Sequence, residues 1–112
     1  MSNDISGEVQ ADHATVIKNI LQDIAITKIR CREFTKLKKC EQADAVLARA
    51  KELYSDLLSA TDLENPVHRS IVRNRRLDLG EMAADVESCH LRQEAERLRR
   101  ERRRGAAKTE AA

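Results

Sequence analysis

The sequence predicts an all-α protein, a long antiparallel helical hairpin of coiled-coil-like character, with a compact three-helix bundle as the alternative. Three observations carry this. Glycine and proline number only 3 and 1 in 112 residues, too few for a sheet with many turns. No glycine or proline interrupts Glu8 to Glu64. Apolar residues then recur at helical spacing on both sides of a single strong break.

Residues 1–7 read as a flexible start, with Ser6 placed to cap a helix beginning near Glu8. Val16, Ile17, Ile20, Leu21, Ile24, Ala25, Ile26 and Ile29 crowd fourteen positions and cover more than one helical face. Further on, Val46, Ala50, Leu53, Leu57 and Ala60 step by four and three, the spacing of a packed seam. The segment 59–66 is the expected turn, with Asn65 as N-cap and Pro66 at the first helical position. Thr61 with Glu64 offers a competing capping box. In the alternative bundle, the first segment folds back near 36–44, where neither glycine nor proline marks a turn.

The final helix is expected to reach Arg104, closed by Gly105, with 105–112 as a disordered tail. Gly80, with Asp78 and Glu81 beside it, offers a weaker interruption. The helix carries two apolar lines. Val72, Leu79, Met82, Val86 and Cys89 form one; Leu77, Ala84, Leu91 and Leu98, seven apart, form the other. At about 100° per residue the lines lie almost opposite each other. A hairpin covers one of them, so the second is expected to meet a further helix, a second copy or a partner.

Net charge is +2, unevenly distributed. One basic set is Lys28, Arg30, Arg32, Lys36, Lys38 and Lys39. The other is Arg97, Arg99, Arg100, Arg102, Arg103 and Arg104. In a hairpin that turns at 59–66, paired positions sum to about 125, so the two sets meet at its open end and face an acidic partner or phosphate there. The same register pairs Glu52 with Arg73 and Asp56 with Arg69. The 97–104 run holds no aromatic for base stacking and Phe34 alone sits in the first set, so any nucleic-acid contact would be to the backbone, without sequence readout.

The sequence offers no chemistry. Cys31 and Cys40 fall on opposite helix faces, and no CxxC or HxxxH spacing joins Cys89, His13, His68 or His90 into a metal site. No nucleophile motif or phosphate loop is present. Cys40 or Cys31 can lie near Cys89 across the hairpin, but three cysteines without a secretory signal argue against a disulfide framework, and a buried apolar role is expected for them. No apolar run is long enough to span a membrane. The expectation is a non-enzymatic, cofactor-free helical interaction or scaffold subunit in the cytoplasm, with the nucleus as the second compartment. It docks into a larger helical assembly or associates with itself through Leu77, Ala84, Leu91 and Leu98. The alternative is a nucleic-acid-associated helical protein that grips phosphate through the two basic sets.

Overall fold

The computed structural model describes residues 2–111, with side chains from His13 to Ala106. The chain is all-α. Three helices follow one another: α1 (Ser2–Lys36), α2 (Cys40–Ala60) and α3 (Pro66–Ala111). Each packs against both others. α2 runs antiparallel to its neighbours, and α1 and α3 run parallel. The arrangement is the three-helix alternative, because the first long segment folds back at 37–39 rather than running unbroken to the 59–66 turn.

That turn has a specific cause. Lys38 adopts φ 59, the left-handed region. Its N–H bonds the carbonyl of Thr35 at 3.2 Å, and the Lys39 N–H bonds that of Phe34 at 2.8 Å. This pair of bonds is a Schellman closure, which satisfies the last carbonyls of α1. Glycine usually occupies the left-handed position because a β-carbon there is strained. Here lysine holds it. Gln93 of α3 donates to the Lys38 carbonyl at 2.7 Å and braces the turn from outside.

The second turn follows the sequence closely. Asn65 Oδ1 accepts from the N–H of Val67 at 2.9 Å and of His68 at 3.4 Å, capping α3 directly before Pro66. Thr61 does not form the capping box. Its hydroxyl donates back to the Leu57 carbonyl at 2.8 Å, closing α2.

The core has two parts. At the 61–65 end, Ile17, Ile20 and Ile24 of α1 pack on Leu53 and Leu57 of α2, with Ile71 and Val72 of α3 completing the cluster. Toward the 37–39 turn, Cys31, Ala43, Leu47, Ala50, Met82 and Val86 pack together. The α2 seam and the first apolar line of α3 therefore face inward, as their spacing predicts. Small residues at 43 and 50 let α2 lie close to its neighbours.

Cys40 and Cys89 are joined by a disulfide, with Cα atoms 5.8 Å apart. This overturns the expectation of three unpaired cysteines. The hairpin register brings Cys40 near Cys89, but the partners lie 49 positions apart and no local spacing marks them as bonded. Cys31 is free and buried. Both helix ends differ from the expectation as well. α1 is already helical at Ser2, and α3 continues through Gly105 to Ala111. Gly80 also lies within continuous helix.

Two predictions follow from this frame. Lys38→Gly and Lys38→Val both remove the ammonium that bonds Glu96, so the difference between them reports the cost of a β-carbon in the left-handed region. The glycine variant is expected to be more stable by about 1–2 kcal/mol in denaturant unfolding. Reducing the disulfide is expected to lower unfolding free energy by up to about 4 kcal/mol, the loop-closure entropy of a ring this long. Urea melts with and without reductant measure it.

Candidate functional site: the outer face and projecting end of helix α3

The turn at 37–39 lies beside Gln93 and Glu96, so α3 runs on alone from Arg97 to Ala111. At about 1.5 Å per residue this free segment projects roughly 22 Å beyond the turn. The buried residues of α3, Met82, Val86 and Cys89, define its inner face. The second apolar line points the other way. Leu77 is 60% exposed, Leu91 62% and Leu98 42%, and Ala84 is exposed with them. An amphipathic helix ordinarily turns its outer face to water with polar residues. This one places a leucine there at every seventh position except Ala84.

The basic residues divide differently from the hairpin expectation. Because α1 folds back, Lys28 lies opposite residues 78–81 rather than 97. Its ammonium bonds Asp78 at 2.8 Å and lies 3.3 Å from Glu81. Hydrogen bonding to Asp78, and then to Glu81, raises the Lys28 pKa. Asp78 and Glu81 thus tie α1 to α3 instead of recapping a helix at Gly80. Arg75 Nε lies 3.1 Å from Asp78, close enough for an ion pair but without hydrogen-bond geometry. Arg30, Arg32, Lys36 and Lys39 are exposed on α1 and its turn. Of the first basic set, Lys38 is the member that reaches the arginine segment, bonding Glu96 at 2.8 Å. The hydrogen bond from Lys38 holds the Glu96 carboxyl below its ordinary value.

Within the arginine segment, Arg97 is bracketed by Glu94 and Glu101. These contacts raise the Arg97 pKa, and the Arg97 hydrogen bond lowers that of Glu94. Among the described residues, Arg99, Arg100, Arg102, Arg103 and Arg104 form no ion pair. An open groove of about 510 Å³ lies between the turn and this segment, lined by Lys38, Gln93, Glu96, Arg97, Arg100, Glu101 and Arg104. The expected Glu52–Arg73 and Asp56–Arg69 pairs are not formed; Glu52 bonds Arg49 of its own helix at 3.2 Å.

The histidines and the free thiol have local roles. His68 Nδ1 accepts the Asp62 N–H at 2.9 Å and locks the second turn. His90 contacts Asp44 at 2.7 Å across α2 and α3, and His13 is exposed. Burial pushes the Cys31 thiol pKa up, with Asp85 and Asp44 adding to it, so the thiolate form is disfavoured. Among the described residues, no group of three or more His, Cys, Asp or Glu side chains is arranged to hold a metal ion, and no helix is long and apolar enough to cross a membrane. A persistent disulfide is uncommon in a reducing cytosol, so Cys40–Cys89 lends no support to the expected compartment.

No protein family, no curated protein and no solved structure matches the chain.

The Glu96–Lys38 contact sets a pH dependence. A carboxylate with a lowered folded pKa contributes stability that is fully present above its unfolded value and is lost as pH falls through the folded one. Glu96→Gln is therefore expected to be less stable than the parent at neutral pH, with the difference vanishing in acid once Glu96 is protonated. Parallel thermal melts across the acid range read this out.

Proposed function

We propose that this chain is a non-enzymatic helical interaction protein, and that the outer face of α3 binds another helix along Leu77, Ala84, Leu91 and Leu98. The observation that carries this reading is the exposure of a seven-residue apolar repeat on a helix whose opposite face is already satisfied by the core. Scattered surface leucines need no partner, but leucines in register along one face resemble the seam of a packed helix pair. The absence of the outer line from the core clusters supports the same reading, since the bundle leaves that line uncovered.

A second reading has its own support in the five arginines without ion pairs on the projecting end. They would grip phosphate groups or an acidic protein surface, with Lys38 at the edge of the same groove. Arginines that point all round a helix give no directional base readout, so such binding would follow charge density rather than sequence.

The two readings separate in one set of measurements. Photo-crosslinkers placed at Leu77, Leu91 and Leu98 are expected to capture a helical polypeptide, while one placed at exposed Gln42 on α2 does not. The absence of adducts at all three leucine positions in cells would sink the interaction reading. For the second, Arg100/Arg103/Arg104→Glu, which leaves the flanks of the leucine line untouched, is expected to abolish salt-sensitive retention of a single-stranded RNA probe while leaving the leucine crosslinks intact.

A further inference from the structure

The outer face of α3 repeats in charge as well as in apolar content. Ala84, Ser88, Leu91, Ala95 and Leu98 alternate spacings of four and three, and all five are exposed. In heptad terms the leucine line occupies d, with Ser88 and Ala95 at a. Glu87, Glu94 and Glu101 recur on the flank before each a position, at g. Arg92 and Arg99 stand on the opposite flank after each d position, at e. Each of these arginines follows a glutamate by five residues: Glu87 by Arg92, and Glu94 by Arg99.

Five is the offset at which g of one helix meets e of its neighbour in a parallel, in-register coiled coil. Two copies aligned this way place Glu87 against Arg92 and Glu94 against Arg99, and the two-fold axis repeats both pairs. An antiparallel pair would instead set glutamates against glutamates and arginines against arginines. The flanking charges thus specify both the occupant and its direction. Among the described residues, Glu87, Arg92 and Arg99 form no ion pair, and Glu94 pairs with Arg97 of its own helix. Sterically the face is open, because α1 and α2 pack on the opposite side of α3.

We infer that a second copy of this chain occupies the outer face of α3, in a parallel two-fold coiled coil running from Ala84 to Glu101. This rests on the interaction role proposed above and names its partner. Ala84, Ser88 and Ala95 bring the two helices close, while Leu91 and Leu98 supply the apolar anchors. The seam stops at Arg102, the next a position, where two guanidinium groups would face each other. Small core residues and few leucines make the pairing reversible rather than permanent.

Sedimentation equilibrium of the intact oxidised chain is expected to show a monomer–dimer equilibrium. Ala95→Cys is expected to form a covalent dimer under mild oxidation, because equivalent a positions adjoin only in the parallel register; Gln42→Cys is not. Glu87/Glu94→Arg and Arg92/Arg99→Glu alter exposed side chains, and circular dichroism checks that each stays helical. Each alone is expected to weaken dimerisation by about tenfold or more, and an equimolar mixture to restore it as a heterodimer. Dimers that ignore both charge reversals would overturn the inference. So would a chain that stays monomeric at high micromolar concentration. If that monomer still yields leucine-position adducts with a different protein, self-pairing fails and the interaction face stands. If it yields no adducts, both fail.

Discussion

The left-handed residue at Lys38 decides the shape of the molecule. With the Schellman closure in place, α1 ends at Lys36 and the chain reverses within three residues. Without it, the segment from Ser2 to Ala60 would be one helix, and its crowded isoleucines would lie far from Leu53 and Leu57. The reversal brings Ile17, Ile20 and Ile24 onto α2 and sets Lys28 beside Asp78. Gln93 and the Cys40–Cys89 bond then fix the turn to α3. A strained backbone position is tolerated because these contacts hold the turn against α3.

The same reversal gives α3 its unusual standing. Its inner face serves two helices over its first part and none over its last. The stretch 66–96 runs beside the bundle and contributes its inner face to the core, whereas none of the described side chains from Arg97 onward belongs to a core cluster. The outer leucine line crosses from one region into the other: Leu77, Ala84 and Leu91 lie over the bundle and Leu98 beyond it. A continuous pattern on two structurally different stretches is hard to explain by folding alone. It is economical if one partner helix lies along both.

Much of this was legible in the residues. The α2 seam, the Asn65–Pro66 helix start and the opposed lines of α3 are periodic or local features, and periodicity and capping are local physics. What escaped was set by long-range register or by an exception to a local preference. Lysine in the left-handed position carries no signal comparable to glycine, so an unbroken helix was the better reading of 36–44. One turn changes the register of the whole first arm: an unbroken hairpin sets Lys28 against Arg97, whereas the reversal at 37–39 sets it against Asp78 and Glu81. The hairpin register brings Cys40 near Cys89, but an odd number of cysteines with no local pairing motif gives no sign that the two are bonded. The outer leucines were visible as a line; the acid–base repeat beside them needed the knowledge of which face the bundle leaves open.

The disulfide has a mechanical consequence. Cys40 follows the first turn directly, and Cys89 lies near the last residues of α3 that touch the bundle. Tension applied between the N-terminal end of α1 and the arginine tip therefore passes along α1, across the sulfur bridge and out through α3. Residues 41–88 hang off this load path as a closed ring. About 160 Å of contour is withheld from extension at roughly 3.4 Å per residue. A pull on the tip shears α1 from α3 before it can unravel the hairpin of α2 and α3, so the oxidised chain behaves as a short tether with a protected loop.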